Sequence, residues 1–500
     1  MAEAVVQNPT QPTPNIAYVL PEVQAKAAPW KKIRDCIAGQ DAIKSATTDY
    51  LPMPNADDKS IENASRYLAY LTRAVFYNVT GRTHRGLVSL AFAEEPTIQL
   101  APQLEGLLSN VDGAGISLEQ QTRATLGEVA ATGRCGLLVD YPPVVEQVSQ
   151  AQIAALGLQP TIRRYEPQDI INWRVSIIGG VRLLTLVVLQ ETVAVPTDDF
   201  VSQVVKQWRV LRLVPDDRGM FRYIVTVYRM PTNASQMGYS AITALEQYEP
   251  RDYTGRPWNV IPFLACGSEN NEITIDAPPL LDLAELNIAH YRNSADYEES
   301  VFMCGQPTPT LEGMTKDWWE NVLNKTVRLG SRSAVPLPAG ARLALVQASP
   351  NDLVREAMQD KERQMVALGA RLIQTNTVQR TATEAKLESA SELSVLSTCA
   401  NNVAAGYVQA LKWAGMFAGT KQDSVFEMHA NAEFDSLSVE ERAQLMAEMQ
   451  NDGITWSEYR AHLHAAGVAT LDDKKAKAEI EAEDAAEPTD KPETTITEKA

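Results

Sequence analysis

The chain has 500 residues, of which 45% are hydrophobic, and its formal net charge is −18. The length predicts about three domains, and the apolar share is sufficient for a packed core. Nucleic-acid binders are usually basic because their affinity comes from neutralising phosphates, so the charge excludes a protein that grips DNA tightly over its whole surface. Part of the acidity belongs to residues 471–500, where ten acids and five bases leave −5, so the remainder carries −13.

The cysteines predict buried thiols. They are five in number, lie far apart and form no CxxC pair: Cys36, Cys135, Cys266, Cys304 and Cys399. This pattern argues against a disulfide framework and a zinc knuckle and is typical of a cytosolic protein. The first residues lack the basic and apolar regions of a signal peptide. No run approaches ~18 apolar residues, so no membrane span is predicted.

The first half of the chain mixes helical and strand patterns. Prolines and small polar residues predict an extended arm over residues 1–29. Apolar residues at helical spacing predict helices over residues 61–77 and 117–132. Alternation from Ile171 to Ile177, followed by Gly179-Gly180, predicts a strand that enters a hairpin.

A second hairpin is predicted from residues 203–214 and 221–229, which flank a turn-forming segment. On its second strand one set of side chains shares a face: Phe221, Tyr223, Val225 and Val227. Two successive hairpins predict an antiparallel meander packed on helices, so the predicted fold class is α+β.

A long helix is predicted after Asp276, which can cap it, with Pro278 and Pro279 in the first turn. Apolar spacing through Leu281, Ala284, Ile288, Tyr291 and Ala295 carries the helix to about Met303. This helix bears one arginine, Arg292, and five acids: Asp282, Glu285, Asp296, Glu298 and Glu299. The composition therefore predicts an acidic helix.

Two more long helices are predicted, over about residues 351–374 and 384–416. They are separated by TNTVQRTAT (375–383), whose threonines are poor helix formers. Residues 304–350 form an insert before them, with turn prolines and glycines. A short helix is predicted in the insert near Trp318 and Trp319, and β-prone segments around Val327 and Leu343.

Two shorter helices end the ordered part, over about residues 437–450 and 455–466. Ser438 and Glu441 have the spacing of a capping box at the first of them. Residues 471–500 consist mainly of Glu, Lys, Ala, Pro and Thr and cannot bury a core, so we expect disorder there.

Signatures of catalysis and cofactor binding are missing from the sequence. It contains no GxxxxGK[ST], which weighs against a packaging ATPase, and no HExxH or GxSxG. Gly113 and Gly115 in VDGAGISL form only a partial GxG, and we interpret them as a loop before a helix capped by Ser117. Acidic pairs and arginine pairs such as Arg82 and Arg85 are typical of a solvated surface.

The histidines do not suggest a metal site either. The five are His84, His290, His429, His462 and His464. His462 and His464 are two residues apart on a predicted helix, so they face different directions. His290 lies beside an apolar stripe, which favours a packing or interface role over ligation. We therefore predict no catalytic residue, no metal site and no cofactor.

Five segments, taken in order, resemble a family of tailed-bacteriophage portal proteins that was first catalogued only as a domain of unknown function. They are RYLAYLTRAVFYNVTGRT (66–83), VDGAGISL (111–118), GRCGLLVDYP (133–142), RYEPQDIINW (164–173) and RTATEA (380–385). Each is short, but together they span most of residues 60–420, and the chain ends lie outside the resemblance.

The resemblance implies a portal fold, in which a mixed α/β wing carries a two-helix stem with a clip inserted between its helices. The implied regions are an N-terminal arm (1–60), the wing (61–278), stem helix 1 (279–303), the clip (304–350), stem helix 2 (351–374), a tunnel loop (375–383), a long helix returning to the wing (384–436), a helical crown (437–470) and a disordered acidic tail (471–500).

The resemblance also implies a non-enzymatic role in the virion. Portal subunits, made in the host cytoplasm, form a ring, typically a dodecamer, at one capsid vertex. Double-stranded DNA passes through that ring during packaging and ejection. The implied partners are other copies of the chain, the terminase, a head–tail adaptor and the major capsid protein or scaffold.

Two hypotheses concern DNA. The acidic first stem helix would keep the channel slippery by like charge, and four residues at the tunnel loop would touch phosphates weakly: Gln374, Asn376, Gln379 and Arg380. For each of them, capping a helix or contacting a neighbouring subunit is the competing interpretation. Two other functions stay open, namely another head or head-completion protein, and a phage enzyme such as a nuclease or protease.

Overall fold

The computed structural model describes residues 15–141, 158–217, 219–230, 242–305, 308–327, 335–346, 352–372, 394–420, 422–428, 439–450, 453–465 and 477. The chain divides into two compact units, Met1–Ala430 and Asn431–Ala500. The first unit mixes helices with sheets, so the predicted α+β class is confirmed.

The helices of the first unit are α1 (Pro21–Ala38), α2 (Gln40–Ser45), α3 (Ile61–Arg73), α4 (Val79–Ala91), α5 (Gly106–Ser109), α6 (Leu118–Thr132), α7 (Leu281–Gly305), α8 (Leu353–Arg371) and α9 (Val395–Ala418). The second unit contains α10 (Val439–Gln450) and α11 (Trp456–Ala465).

The strands are β1 (Thr97–Gln99), β2 (Arg134–Asp140), β3 (Thr161–Tyr165), β4 (Ile170–Ile178), β5 (Val181–Pro196), β6 (Ser202–Pro215), β7 (Phe221–Arg229), β8 (Thr243–Tyr248), β9 (Phe263–Gly267), β10 (Thr308–Glu312), β11 (Arg342–Val346) and β12 (Val425–Glu427). They form a five-stranded sheet in the order β4-β5-β6-β7-β8, a three-stranded sheet β3-β2-β9, and the pairs β1-β12 and β10-β11.

The five-stranded sheet is the predicted antiparallel meander. Gly179 and Gly180 connect β4 to β5 with φ angles of 59° and 84°, which glycine adopts without a steric penalty. One face of the sheet contributes to the main core, and the β7 side chains that were predicted to share a face all lie there: Phe221, Tyr223, Val225 and Val227.

A buried ionic cluster joins the two larger sheets. Arg209 of β6 donates from Nε to Glu191 Oε1 of β5 at 2.8 Å and from Nη1 to Asp140 Oδ2 of β2 at 3.3 Å. Tyr165 of β3 donates its hydroxyl to Glu191 at 2.6 Å, and Gln207 donates its amide at 2.7 Å. Because the guanidinium and the carboxylates satisfy one another, the charges can be buried between the sheets.

The N-terminal segment is helical and packed, so the predicted extended arm is wrong from Pro21 onward. Trp30, Ile33 and Cys36 of α1 are buried, and Trp30 donates from its indole nitrogen to the carbonyl of Thr132 at 3.0 Å. Proline at position N1 suits a helix start, because that residue needs no amide donor. Residues 1–14 lie outside the described part of the chain.

Two predicted helix starts are also corrected. Asp276 does not cap α7, which begins at Leu281. Its carboxylate instead accepts the backbone N–H groups of Glu269 and Asn270 at 2.8 and 3.2 Å. The third long helix begins at Val395 and not at Glu384, because Ser394 is extended and its side chain accepts the N–H of Ser397.

The insert contains both kinds of structure that the sequence predicted. β10 and β11 pair antiparallel, from Thr308↔Val346 to Glu312↔Arg342, and Trp318–Val322 forms a single helical turn of π type. Leu343 lies in β11 as predicted, whereas Val327 lies in no strand. In the second unit Thr455 and Glu458 form a reciprocal cap at α11, while the predicted cap Ser438 lies outside the described residues.

Replacing Arg209 with Met should lower the free energy of unfolding by about 3–5 kcal/mol, because Glu191 would lose its cation and Asp140 would keep only Arg163, at 3.9 Å. Urea unfolding followed by circular dichroism measures the loss. The matched control is Arg363→Met, which removes an exposed ion pair with Asp360 and should cost less than about 1 kcal/mol. Equal losses in the two variants would contradict a stabilising role for the cluster.

Glu191 should also make stability depend on pH. Burial alone raises its pKa, but the charge of Arg209 and the hydrogen bonds from Arg209, Tyr165 and Gln207 outweigh burial and lower the pKa below its ordinary 4.5. Its stabilising contribution is therefore complete above that value and is lost as the pH falls below it. Unfolding curves of Glu191→Gln should accordingly vary less with pH below about 4.5 than those of the parent chain.

Candidate functional site

The helix–insert–helix unit, residues 281–371, is the candidate functional site. It consists of α7, the insert with β10 and β11, and α8. The 25 residues of α7 correspond to a length of ~37 Å at ~1.5 Å per residue. The predicted order of long helix, insert and long helix is therefore present, with α7 and α8 packed against each other.

The first half of α7 lies in the main core. Its buried side chains recur at helical spacing: Leu283, Ala284, Ile288, Tyr291 and Ala295. Phe76 packs edge-on against Tyr291, with ring centroids 6.0 Å apart. The apolar stripe that predicted this helix is thus the surface that packs into the main core.

Two buried polar side chains fix the position of α7 relative to α4 and the segment before it. Asn287 Oδ1 accepts the backbone N–H and the hydroxyl of Thr80 at 3.1 and 2.9 Å, and its amide donates to the carbonyl of Tyr77 at 2.8 Å. Ser294 Oγ accepts the N–H of Val75 at 3.1 Å and donates to the carbonyl of the same residue at 2.7 Å. These bonds give the two buried side chains, and the polar groups that they face, partners within the chain.

The sequence analysis missed both of these residues. Asn287 and Ser294 flank the apolar stripe of α7, and each lies next to one of its buried members in sequence. Polar residues so close to a core face were the only available signal, and they did not reveal which backbone groups they would meet.

Three acids of α7 contact neighbouring helices. Glu285 pairs with Lys32 of α1 at 2.9 Å, Asp296 accepts the hydroxyl of Tyr70 at 2.6 Å, and Glu299 pairs with Arg73 of α3. That an acidic stem helix keeps a channel slippery stays a prediction, with two of its five acids held in ion pairs within the chain.

Three α7 acids have no ion pair within the described part of the chain. Asp282 and Glu298 also lack a side-chain hydrogen bond there, and Asp296 accepts only the neutral hydroxyl of Tyr70, which leaves its charge in place. Asp282 and Asp296 are exposed and Glu298 is half-buried. A like-charge effect on DNA would come mainly from these three side chains, since Lys32 and Arg73 offset the charges of Glu285 and Glu299.

His290 connects α7 to α8. Its imidazole is buried, and Nε2 lies 3.2 Å from Glu362 Oε1 of α8. The Tyr77 ring lies beside it, with ring centroids 6.0 Å apart. Met365, three residues after Glu362 on α8, is fully buried. The predicted packing role of His290 is confirmed.

The far half of the unit exposes an unusual amount of apolar surface. On α7 this surface consists of Val301, Phe302 and Met303, and on the insert and the start of α8 it consists of Trp319, Val322, Leu343, Leu345, Val346 and Leu353. Among the described residues, β10 and β11 pair only with each other. A two-stranded sheet is marginally stable in water without further packing, so this end of the unit is suited to contact with another protein surface.

Groups that could carry chemistry are scattered or buried. Where side chains are described, no three or more His, Cys, Asp or Glu residues come together to hold a metal ion. Burial raises the pKa of the Cys135 and Cys399 thiols to about 12, which keeps them protonated and unreactive at neutral pH. His84 contacts the carbonyl of Gly127 at 2.9 Å, so it too serves packing.

The four predicted DNA-contact residues, Gln374, Asn376, Gln379 and Arg380, lie outside the described residues, which stop at 372 and resume at 394. The RTATEA block (380–385) lies in the same interval. None of the helices in the described ranges is long and apolar enough to span a membrane.

Comparison with known families matches part of the chain. Residues 279–418 match a family described as a domain of unknown function, DUF4055. This range covers the helix–insert–helix unit and α9. Of the five segments that resemble portal proteins, only RTATEA falls within it. A search of the curated proteins finds no match.

Two solved structures contain similar chains. One is the virion of a native gene transfer agent particle, at 16% identity over 81% of this chain and 94% of that chain, with a TM-score of 0.40. The other is the neck of an empty gene transfer agent particle computed with C6 symmetry, at 16% identity over 79% and 91%, with a TM-score of 0.36. Scores of this size do not establish a common fold.

Replacing Asn287 with Ala should lower the free energy of unfolding by about 2–4 kcal/mol, because the buried N–H and hydroxyl of Thr80 would lose their described partner and a cavity would form. Thermal or urea unfolding measures this loss. Glu298→Ala on the same helix serves as the control and should change stability by less than about 0.5 kcal/mol. A loss below about 1 kcal/mol for Asn287→Ala would show that α7 does not depend on this anchor.

Proposed function

We propose that this chain is the portal subunit of a tailed-phage particle, a structural protein that forms a ring at the capsid vertex and conducts DNA. The single observation that carries the proposal is the helix–insert–helix unit, with one end anchored in the core and the other end apolar and exposed. The ordered sequence segments that resemble portal proteins supply the name of the subunit.

The anchored end holds α7 in a fixed position relative to α1 and α3. Asn287 and Ser294 hold α7 by hydrogen bonds to backbone groups, while Glu285, Asp296 and Glu299 tie it to α1 and α3. A helix fixed in this way cannot slide along its neighbours without leaving buried polar groups unpaired.

The exposed end supports assembly. The apolar side chains at the end of α7 and on β11 would stay in water in an isolated chain, and contiguous apolar surface of this kind usually marks an interface. In a closed ring each subunit uses two different surfaces to contact its neighbours. We therefore assign the insert, as the clip, to contacts with neighbouring copies and with the terminase or a head–tail adaptor.

In this proposal the segment between α8 and α9 faces the DNA. It contains the amides of Gln374, Asn376 and Gln379 and the guanidinium of Arg380, which suit weak contacts to phosphates without sequence preference. With Glu285 and Glu299 in ion pairs, repulsion of DNA by α7 is limited to Asp282, Asp296 and Glu298. The tunnel loop then becomes the principal proposed DNA contact.

Electron microscopy of the purified full-length chain tests the proposal. Negatively stained particles should be rings with a central hole, and mass photometry should give a mass that is an integral multiple of one chain. A monodisperse monomer under assembling conditions would refute the portal assignment. Irregular sheets or shells would favour another head protein instead.

Replacing Leu345 with Asp should weaken ring formation, because Leu345 is 64% exposed on β11 and a carboxylate there cannot be buried in a contact without a large penalty. The fold of the monomer should be unaffected, so the melting temperature of the dissociated chain serves as the internal check. The control is Ile61→Asp, at a side chain that is 84% exposed in the first turn of α3. Rings of unchanged stability in Leu345→Asp would remove the insert from the interface.

Replacing Arg380 with Glu should reduce the amount of DNA packaged by particles that carry the variant, because the added carboxylate repels phosphates in the channel. Quantitative PCR of nuclease-protected DNA measures the effect. Arg363→Glu, a similar charge reversal on the exposed face of α8, is the control. Normal packaging by the Arg380 variant in particles of normal composition would exclude Arg380 from the channel role.

A further inference from the structure

We propose that neighbouring copies of this chain join head to tail through the two ends of the five-stranded sheet. The acidic, apolar tip of the β5–β6 hairpin in one copy would contact the basic, apolar β4–β5 hairpin of the next. This inference rests on the ring proposed above and names one of its interfaces.

The β5–β6 arm, residues 191–206, extends beyond the rest of the sheet. β4 pairs with β5 only as far as Ile170↔Leu189, and β7 pairs with β6 only as far as Arg229↔Gln207. β5 and β6 nevertheless continue to pair up to Pro196↔Ser202. At the base of the arm the N–H of Met230 donates to the carbonyl of Lys206 at 3.0 Å, and the last pairs of β5 and β6 lie beyond the ends of β4 and β7.

The tip of the arm presents one aromatic side chain on a rigid turn. Thr197 donates its N–H and its hydroxyl to the carbonyl of Val201 at 2.8 and 2.9 Å. Asp198 Oδ1 accepts the N–H groups of Phe200 and Val201 at 2.8 and 2.7 Å. Phe200 is held on this turn with its side chain 97% exposed. An aromatic group fixed in advance loses little entropy on binding, which suits an interface anchor.

The tip is also acidic. Asp198 and Asp199 are adjacent on it, and the carboxylate of Asp199 has no partner among the side chains that the structure describes. Val201 and Val204 add exposed apolar surface next to these charges. The arm therefore offers an apolar group flanked by negative charge.

The β4–β5 hairpin carries the complementary combination. Ile177 and Val181 are 74% and 58% exposed. Arg174 and Arg182 are exposed close by in sequence, and in the described structure neither guanidinium forms an ion pair. Residues 170–190 contain these two arginines and no acid, so the β4–β5 hairpin is positively charged.

The two ends cannot satisfy each other within one copy. Val181 and Pro196 are the first and last residues of β5, so they lie ~50 Å apart at ~3.3 Å per residue along the strand. Two different surfaces of opposite charge at opposite ends of one element match a heterologous, head-to-tail contact. A second copy of this chain therefore fits the arm better than an unrelated partner would, because the chain itself supplies the complement.

A charge-swap experiment on the full-length chain tests the contact. The arm variant is Asp199→Arg, the receiving variant is Arg174→Asp with Arg182→Asp, and the third protein combines all three changes. Mass photometry over a dilution series, at about 0.1 M salt where surface charges still act over ~10 Å, gives the concentration at which half of the chains are assembled. Phe200→Ser tests the apolar part, and Glu94→Arg, a reversal at an exposed acid outside the sheet, is the control.

The arm and receiving variants should each raise the half-assembly concentration about tenfold or more, since like charges now face each other, and Phe200→Ser should do the same. The combined protein should return toward the parent value. Variants that assemble like Glu94→Arg would overturn the inference, and so would a combined protein that stays as weak as its components, because the two ends then contact something other than each other. A parent chain that forms no ring would instead refute the proposed function, so the two failures are distinguishable.

Discussion

The burial of only one half of α7 is the constraint on which the rest of the molecule depends. Leu283, Ile288 and Tyr291 place the first half in the core, and Asn287 and Ser294 bind backbone groups of Tyr77, Thr80 and Val75. Because buried polar groups are costly to leave unpaired, the helix has one permitted depth and rotation. The remaining turns then project from the core and carry the insert with them.

Charged side chains also differ between the parts of the chain near the core and the parts that project from it. Near the core, acids are neutralised by specific partners, as in the cluster of Arg209 with Glu191 and Asp140 and in the pairs that α7 forms with α1 and α3. At the projecting ends, charged side chains such as Asp199 and Arg182 lack described partners and stand beside exposed apolar groups. Paired charge stabilises one chain, whereas unpaired charge next to apolar surface favours contact with another.

The net charge of −18 does not show which acidic side chains are paired within the subunit and which are free to act on a partner. Two of the five acids of α7 form ion pairs inside the subunit, so in the proposed ring the helix would repel DNA less than its composition indicates. In the proposed ring, conduction of DNA would depend more on the polar segment after α8 than on a uniformly acidic wall. This distinction follows from pair geometry and is invisible in composition.

Periodicity in the sequence was sufficient for the elements whose partners lie close along the chain. The hairpins around Gly179-Gly180 and between β6 and β7, the capped start of α6 and the apolar stripe of α7 were all predicted, because a turn, a cap or a stripe is specified by residues a few positions apart. The order of long helix, insert and long helix was predicted for the same reason.

The tertiary structure alone decided what depends on distant residues. The packing of α1 includes the bond from Trp30 to Thr132, the role of Asp276 is set by the backbone of residues 269–270, and the ion pairs of the α7 acids need Lys32 and Arg73. The local sequence determined that these segments could be helices, turns or charged surfaces. Only the folded chain decided which charges are neutralised and which remain for partners, because electrostatic energy depends on distances in space and on burial.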